Sequence, residues 1–402
     1  MDEVTSMRDA DADVIVVGGG IIGASIAFAL TRRGLRDVRV FERDTVGSAG
    51  TGKSSGVVRC HYGVPSLAAM AWKSLLLFEN AVEILGEEVG FEQTGYLVCV
   101  GPGNVGALQA NLAMQRSLGI EADQISLADA AALWPAAYLE DFAAFGYEPR
   151  GGYGDAYRTA QAFAAAARRG GAVIEQRSPV VELLVHNGRA CGVRLADGRQ
   201  ISAPTVVVAA GPWSVGLLAP HGVTLPIRAQ REPVLMVHPG RALGRVPVLS
   251  DLVSLQYVRA ERSGELLVGN SDHRDPEWAD PDGYRDSADE TFLERAADKL
   301  THRFPALTGA RVSTSYSGCY DVTPDYNPVI GFSPVPGVLV AAGFSGHGFK
   351  ISPAVGELVA DLLCVGISSD PDIPAQDFRF GRFADNDWLS SRNTYTGAGE
   401  MR

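Results

Sequence analysis

The chain has 402 residues, of which 46% are hydrophobic and 20% are charged, so it can bury a large core and has the length of two or three domains. The net charge is −12, from 47 acidic and 35 basic residues without a basic tract, which argues against nucleic acid as a partner. The five cysteines lie far apart and form no CxxC pair, which argues against a disulfide framework or a metal site and favours a reducing, cytoplasmic location.

The N-terminal region predicts a tail followed by one βαβ unit. Residues 1–12 are polar and lack the apolar segment of a signal peptide, so they are expected to form a flexible tail. An apolar run at residues 13–17 stops at Gly18 and predicts a buried strand, and the helical spacing that starts at Ile21 predicts a helix. A second β-rich run at 38–41 completes the unit.

The remainder of the chain alternates between helical and strand patterns, and no stretch reaches the roughly 20 apolar residues that a membrane span requires. Residues 43–62 are rich in Gly, Ser and Thr and predict a loop, after which Pro65 begins a helical pattern that continues to about residue 85. The later patterns predict, in order, a strand at 94–100, a helix at 104–116, a helix after the N-cap Ser126, an alanine-rich helix that ends at Gly170, strands at 179–186, 190–195 and 205–209, a strand-rich region at 227–270, a helix at about 290–303, strands at 311–318 and 337–342, and a helix at 346–365.

Gly18, Gly20 and Gly23 lie at G-x-G-x-x-G spacing between the first strand and the first helix. In this arrangement the first glycine permits the tight turn, the second lets a diphosphate approach the backbone, and the third lets the helix pack on the strand. The helix N-terminus attracts the negative charge of the diphosphate, and Glu42 is placed to accept hydrogen bonds from a ribose. The combination predicts a dinucleotide site, and the alternative is a Gly-rich turn that binds no ligand.

The glycine spacing does not distinguish FAD from NAD(P), because both cofactors present the same diphosphate and ribose. Three further segments decide between them: GTGKSSGVVRCHY at 50–62, VVVAAGPWS at 206–214, and GCYDVTPDYNPVIG with VLVAAGFSGHGFKISPAVGELVADLL within 318–363. With the N-terminal motif, these segments make the chain resemble the FAD-dependent amine oxidoreductases that include D-amino-acid oxidase, glycine oxidase and sarcosine oxidase. The resemblance is collinear over about 15–365 and implies FAD as the cofactor.

The resemblance also implies the fold and the domain organisation. It implies an α/β protein in which a Rossmann-like FAD-binding domain is interleaved with an α+β substrate domain built on a large, mostly antiparallel sheet. No repeat or linker divides the sequence cleanly, which fits interleaved domains. We expect the discontinuous FAD-binding domain at 13–90, 150–225 and 325–370, the substrate domain at 91–149 and 226–324, and flexible tails at 1–12 and 385–402.

Carried over residue by residue, the resemblance implies a set of FAD contacts. The loop after the second strand would line the path of the diphosphate and flavin, Arg43 would lie beside the adenosine, and Val180 would meet the adenine through its backbone. Ala210 and Gly211 would close over the cofactor, and a helix that begins near Gly346 would stabilise negative charge on the reduced ring. The complete set is Gly18, Gly20, Ile21, Ile22, Gly23, Glu42, Arg43, Thr51, Ser54, Ser55, Val180, Ala210, Gly211, Gly343, Gly346, Gly348, Phe349 and Lys350.

A carboxylate substrate that leaves water needs a charge-assisted partner, so a cation-lined pocket is expected. Arg59 and Lys350 match the positions where enzymes similar to sarcosine oxidase place their carboxylate-binding cations, and the alternative for Arg59 is an ion pair with a surface acid. The resemblance suggests that His347 polarises the substrate or shapes the flavin face. Tyr320 and Tyr257 would wall the pocket or donate a hydroxyl group, and plain packing is the alternative for these three residues.

Two departures from the family pattern concern the flavin. Sarcosine oxidases that attach flavin covalently carry a cysteine two residues before the aromatic residue that matches Tyr320. That position is Gly318 here, and Cys319 is one residue out of register, so non-covalent FAD is expected. The oxygen-activating lysine of those enzymes is matched by Leu267, so either oxygen is a poor acceptor or another cation serves.

These features predict an FAD-dependent oxidase or dehydrogenase that converts the C–N bond of a small amine or amino acid, of sarcosine, glycine or D-amino-acid type, to an imine that water hydrolyses. Oxygen or another compound would accept the electrons, and the sequence is compatible with a homo-oligomer or a complex with other subunits. Two alternatives remain open: an accessory or electron-relay flavoprotein subunit, and a specialised biosynthetic flavin oxidase that acts on an elaborated amine. Residues 270–288 would cover such an elaborated substrate or form a solvated surface turn.

Overall fold

The computed structural model describes residues 11–396, and within them the chain forms helices and strands in close agreement with the predicted order. The helices are α1 Ile21–Arg32, α2 Pro65–Glu79, α3 Ala81–Leu85, α4 Val105–Ser117, α5 Leu127–Leu133, α6 Ala156–Arg169, α7 Ser214–Leu218, α8 Glu290–Arg303 and α9 Gly348–Cys364. The strands are β1 Val14–Val17, β2 Val38–Phe41, β3 Val57–Val58, β4 Tyr96–Val100, β5 Asp123–Ile125, β6 Ala144–Glu148, β7 Gly152–Tyr153, β8 Val173–Glu175, β9 Val180–His186, β10 Arg189–Leu195, β11 Gln200–Ser202, β12 Thr205–Val208, β13 Arg228–His238, β14 Val248–Asp251, β15 Gln256–Ala260, β16 Leu266–Asn270, β17 Arg311–Val322, β18 Val329–Phe332 and β19 Val338–Ala342.

A six-stranded sheet contains the strand that precedes the glycine motif. Its strand order is β18-β19-β12-β1-β2-β8, and every pair is parallel except β18 with β19. In β1, Val14 and Val16 join a core with α1, α6 and α9, whereas Ile15 and Val17 join a core with β9, β10 and β11. The strand is buried on both faces, which explains why its sequence is continuously apolar.

An eight-stranded sheet forms the second large layer, in the order β17-β13-β16-β15-β14-β4-β6-β5. Its pairs are antiparallel except β14 with β4. One face packs against α5 and α8 through a core in which the Trp134 and Phe304 rings lie 5.1 Å apart. A mostly parallel sheet with helices, together with a mostly antiparallel sheet, confirms the predicted α/β class with its α+β part.

Two local features differ from the predictions. The helical pattern from Pro65 to about residue 85 is divided at Asn80, whose φ of −112° and ψ of 25° lie outside the helical region. The last helix begins at Gly348 with His347 as its N-cap residue, two residues after the expected start at Gly346. Of the helices in residues 11–396, none combines the length and hydropathy that a bilayer crossing requires.

The C-terminal segment packs on the protein as far as it is described, in contrast to the flexible tail expected at 385–402. Within 385–396, the N–H of Leu389 donates to Asp325 at 3.1 Å, and Tyr395 is 4% exposed. A few buried anchors therefore hold a segment whose average composition is polar. Residues 1–10 and 397–402 of the two expected tails lie outside the described residues.

Candidate active site

The turn between β1 and α1 requires glycine at two positions. Gly18 has a φ of +107°, and a Cβ atom there would lie 2.5 Å from the carbonyl oxygen of Ala209. At Gly23, in the first turn of α1, a Cβ atom would lie 1.9 Å from the carbonyl oxygen of Gly18. The helix therefore lies closer to the end of the strand than a residue with a side chain permits.

Gly20 and Glu42 shape the surface beside this turn. Gly20 is the N-cap residue of α1 and has no side chain with which to cap the helix. The buried carboxylate of Glu42 accepts hydrogen bonds from the backbone N–H groups of Gly19 at 2.7 Å and Asp44 at 2.8 Å. Because a carboxylate has about four acceptor positions, Glu42 retains capacity for the hydroxyl groups of a ribose.

A cleft of about 460 Å³, which we name the long cleft, begins at this turn and extends between the two large sheets. The hydroxyl group of Thr51 accepts the N–H of Ile21 at 3.0 Å, so the loop after β2 is tied to the start of α1. Most of the predicted FAD contacts lie on this surface. Those that line it are Gly18, Gly20, Ile21, Ile22, Glu42, Arg43, Thr51, Ser54, Ser55, Val180, Ala210, Gly211, Gly346, Gly348 and Phe349.

Three predicted FAD contacts do not line the long cleft. Gly23 is enclosed by the packing of α1 on β1. Gly343 donates its N–H to Oδ2 of Asp321 at 2.7 Å, and a Cβ atom there would lie 2.4 Å from the methyl carbon of Thr323. Lys350 lies on an adjoining cavity instead.

One end of the long cleft is bordered by a contact with the segment at 270–288. The Arg43 guanidinium lies 3.8 Å from the centre of the Trp213 ring and pairs with Asp282 at 2.8 Å. The indole Nε1 of Trp213 also donates to Asp282 at 2.8 Å. The segment thus contacts residues near the glycine motif, at the side where the resemblance places the adenosine.

The adjoining cavity, which we name the small cavity, has a volume of about 50 Å³ and brings together four of the five predicted catalytic residues. They are Arg59, Lys350, Tyr257 and Tyr320. The two tyrosines line the long cleft as well, as do Ser55 and Gly346, so the two spaces share a wall.

Both cations of the small cavity are buried, with Arg59 6% and Lys350 7% exposed. The Arg59 guanidinium lies over the Tyr62 ring at 4.4 Å and donates to the carbonyl oxygen of His61. The Nζ atom of Lys350 lies 3.4 Å from the carbonyl oxygen of Gly346, one turn earlier on the chain. A carboxylate that enters the small cavity is therefore within reach of two positive charges.

His347 does not line either space. It is 2% exposed, and its Nδ1 atom lies 3.3 Å from the hydroxyl oxygen of Tyr62, whose ring it meets edge to face. As the N-cap residue of α9, His347 points its side chain toward Tyr62 and so supports the residue on which Arg59 lies.

Several residues of the two spaces have no counterpart among the predicted site residues. Tyr96, Ser250 and Ser271 line the small cavity, and burial raises the pKa of Tyr96 to about 12, so that its hydroxyl group stays protonated. Lys53, Glu232 and Asp321 line the long cleft. None of these six residues stands out from the strand or loop pattern around it. Their positions in the site follow only from the way distant parts of the chain meet in the fold.

Leu267, which matches the oxygen-activating lysine of the sarcosine oxidases, is buried in β16 and lines neither space.

Glu148 gives the wall behind the small cavity a predicted pH dependence. It is 3% exposed, and burial raises its pKa to about 7 although the Cys60 N–H and the nearby Arg59 charge favour the carboxylate. Because the pKa in the folded state exceeds the unfolded value, the stabilisation is complete at low pH and is lost as the pH rises through about 7. Between the low-pH and high-pH limits, the contribution of Glu148 to the free energy of unfolding changes by on the order of 3 kcal/mol.

Glu148→Gln is therefore expected to unfold with nearly the same free energy as the parent protein at about pH 4, and to be more stable by about pH 8. Chemical denaturation of both proteins across this range measures the difference. A difference that does not change with pH, or that favours the parent at high pH, would contradict the pKa shift.

Comparison with known proteins identifies the cofactor that the glycine turn and the long cleft bind. The family model described as FAD dependent oxidoreductase (DAO) matches residues 13–362. The chain belongs to this family. The predicted resemblance to FAD-dependent amine oxidoreductases, the FAD cofactor and the oxidoreductase activity are thereby confirmed at the level of the family.

Relatives and solved structures agree with this assignment. FAD-dependent oxidoreductase domain-containing protein 1 of Xenopus laevis is 30% identical and aligns with 95% of this chain and 84% of its own length. Dimethylglycine dehydrogenase of Mus musculus is 27% identical over 95% of this chain, but the chain spans only 46% of that relative. The structure of L-proline dehydrogenase from P. horikoshii superposes with a TM-score of 0.86 at 27% identity, over 95% of this chain and 100% of the other.

The residues of this family member fit FAD on structural grounds. The N-terminus of α1 lines the long cleft, and the missing side chain of Gly20 lets a diphosphate approach its backbone. Glu42 stands beside them as a buried acceptor. The long cleft continues from there to Gly346 and Phe349, so one continuous surface has the order of contacts that an adenosine, a diphosphate and a flavin require.

Proposed function

We propose that this oxidoreductase oxidises the C–N bond of a small amine that carries a carboxylate. The observation that supports the proposal most is the presence of two buried cations, Arg59 and Lys350, on a cavity of about 50 Å³ that shares a wall with the long cleft. A buried cation makes a strong charge-assisted hydrogen bond to a carboxylate. The site therefore favours a substrate with a carboxylate group near the bond that reacts.

In this proposal the residues of the chain bind and orient the substrate. Arg59 and Lys350 hold the carboxylate, while Tyr257 and Tyr320, which line both spaces, fix the amine between the small cavity and the long cleft. The buried walls exclude bulk water and strengthen both charge-assisted contacts. Bound FAD supplies the two-electron acceptor for the C–N bond.

The names of the relatives support this substrate class. Dimethylglycine and L-proline, in the names of the mouse relative and the P. horikoshii structure, are both amines with a carboxylate on the adjacent carbon. The small volume of the cavity argues against an elaborated amine. We infer an enzyme instead of an electron-relay subunit, since a relay does not need a cation-lined cavity next to its flavin.

A substrate panel tests the proposal. Holoenzyme without oxygen is mixed with glycine, sarcosine, N,N-dimethylglycine, proline and D-alanine, and with the matching amines that lack the carboxylate. We expect one or more amino acids to bleach the yellow flavin colour and the matching amine to fail. Failure of the whole panel would favour the electron-relay alternative, and hydrogen peroxide measured with oxygen present tells whether oxygen is the acceptor.

Non-covalent attachment of FAD is a separate prediction. Gly318 carries no nucleophile, and Cys319, which lines the long cleft, is one residue out of register with the cysteine that attaches flavin in sarcosine oxidases. Burial also raises the pKa of the Cys319 thiol to about 11, which keeps it from the reactive thiolate form at neutral pH. Acid precipitation of the holoenzyme should release all the flavin into the supernatant, and yellow colour that stays in the pellet would contradict the prediction.

We further propose the predicted domain boundaries and a cytoplasmic location. The strands of the six-stranded sheet lie within 13–90, 150–225 and 325–370, and those of the eight-stranded sheet lie within 91–149 and 226–324. All five cysteines are free thiols, which is usual in a reducing compartment. Some relatives are named as mitochondrial proteins, so fractionation of cells is the appropriate test of location.

A further inference from the structure

The described C-terminal residues bind two separate parts of the protein. Near the start of the segment, the N–H of Leu389 donates to Asp325 at 3.1 Å and its carbonyl oxygen accepts from the side chain of Asn327 at 2.8 Å. Near its end, Thr396 exchanges two hydrogen bonds with the side chain of Asn104, at 2.8 and 3.2 Å. The segment therefore links the chain that follows β17 to the start of α4.

Between these two anchors, Tyr395 lies on His61. The hydroxyl oxygen of Tyr395 is 2.8 Å from Nε2 of His61, and the two rings are stacked with centres 5.9 Å apart. Both residues are buried, with Tyr395 4% and His61 0% exposed. One residue near the C-terminus thus covers His61, which lies in the loop that carries Arg59.

The other ring nitrogen of His61 fixes the direction of this hydrogen bond. The side-chain nitrogen of Gln115 lies 3.2 Å from Nδ1 of His61 and donates to the carbonyl oxygen of Tyr62 at 3.2 Å. Burial lowers the pKa of His61 to about 3, with a further contribution from the Arg59 charge, so the ring is neutral. Because Nδ1 accepts a hydrogen bond, the proton of the neutral ring lies on Nε2. The Nε2–H group then donates to the hydroxyl oxygen of Tyr395.

His61 and Tyr62 in turn hold Arg59. The carbonyl oxygen of His61 accepts from Nη1 of Arg59, and the Tyr62 ring lies 4.4 Å below the guanidinium. A guanidinium that binds a carboxylate with two parallel hydrogen bonds must keep its plane oriented. A shift of the His61 backbone would move the carbonyl oxygen that sets this plane.

We propose that Tyr395, held by the C-terminal segment, is a positioning residue that acts through His61 to orient Arg59 for the carboxylate of the substrate. The inference rests on the proposed function, since it assumes that Arg59 binds a carboxylate. It extends that proposal to a segment far from Arg59 in the sequence. It also gives a role to the burial of Tyr395 in a segment that is otherwise mostly exposed.

Two variants and two matched probes test this role. The probes are pyrrole-2-carboxylate, a small carboxylate that resembles proline, and its neutral counterpart pyrrole-2-carboxamide. Binding of each probe to the holoenzyme is measured from the change in flavin absorbance. Tyr395→Phe removes the hydrogen bond and keeps the stacked ring, whereas Tyr395→Ala removes both. The control is Tyr138→Phe, because Tyr138 is partly exposed and also contacts a histidine ring, that of His302, edge to face and away from both spaces.

We expect Tyr395→Phe to raise the Kd of the carboxylate roughly threefold to tenfold and Tyr395→Ala to raise it more, with the Kd of the carboxamide and the FAD content unchanged. The control variant should bind both probes as the parent does. Equal weakening of both probes, or unchanged carboxylate binding in Tyr395→Phe and in a folded Tyr395→Ala, would overturn the positioning role alone. A parent protein that does not prefer the carboxylate would overturn the proposed function and this inference with it.

Discussion

Arg59→Ala is expected to raise the KM for a carboxylated amine by about two to three orders of magnitude while FAD remains bound. Arg59 is buried on the small cavity beside Lys350 and does not line the long cleft. Loss of one partner from a buried, hydrogen-bonded charge pair costs about 2–5 kcal/mol, because the substrate carboxylate loses its charge-assisted contact. Steady-state kinetics with the best substrate of the panel, together with the flavin-to-protein absorbance ratio, measures both parts of the prediction.

Two variants serve as controls for Arg59→Ala. Arg59→Lys keeps the charge but lacks the planar fork, so it should recover only part of the lost affinity. Arg194→Ala removes an exposed arginine that pairs with Glu182 on the surface hairpin, and it should leave the KM unchanged. If Arg59→Ala leaves the KM unchanged, or removes FAD as well, the assignment of Arg59 to the carboxylate is wrong.

The second large effect separates binding of FAD from formation of the fold. In Gly20→Ala, the added Cβ atom meets only the hydroxyl oxygen of Thr51, at 3.3 Å, and the φ of −69° suits alanine. The protein without FAD should fold, with a free energy of unfolding within about 1 kcal/mol of the parent. The methyl group would occupy the space where the diphosphate approaches, so the Kd for FAD should rise about a hundredfold, equivalent to about 3 kcal/mol.

Gly23→Ala should behave differently. Its Cβ atom would lie 1.9 Å from the carbonyl oxygen of Gly18, so α1 must move away from β1 and the fold itself should lose about 3 kcal/mol or more. Gly106→Ala is the control, since nothing lies within 4 Å of the added atom in α4. Denaturation without FAD and titration with FAD distinguish the three variants. Equal loss of stability in Gly20→Ala and Gly23→Ala would mean that Gly20 serves the fold only.

Local chemistry in the sequence was sufficient to predict most elements. Ser126 and Asp129 form the capping box that the sequence SLAD indicates, and α8 has the predicted limits. The glycine motif predicted the turn after β1, because the positive φ of Gly18 and the close approach of Gly23 to Gly18 are demands made within a few residues of the chain. Such features depend on neighbours in sequence and are therefore readable without the tertiary structure.

The site depended on information that local patterns do not contain. Arg59 and Lys350 are almost three hundred residues apart in the chain, and their meeting in one cavity was predicted only from the resemblance. Hydrophobic periodicity does not show which strands lie next to each other in a sheet. The positions of Tyr96, Ser250 and Ser271 on the small cavity were therefore not predicted.

Average composition did not place two segments outside the glycine motif. The segment at 270–288 was expected either to cover a substrate or to form a solvated turn; its exposed Asp282 contacts Arg43 and Trp213, and its Ser271 lines the small cavity. The C-terminal segment was expected to be flexible because its composition is polar, yet within 385–396 the buried Tyr395 and the hydrogen bonds of Leu389 and Thr396 hold it on the protein. These contacts involve single residues, and average composition does not report them.

The most direct test of the account is binding of FAD and FMN to the protein stripped of flavin. If the turn at Gly18 holds the diphosphate and the long cleft extends from there to Gly346, the protein should take up one FAD per chain. FMN, which lacks the adenosine half, should bind far more weakly, and ADP should compete with FAD. A folded protein that takes up no flavin, or that binds FMN as tightly as FAD, would contradict the central claim.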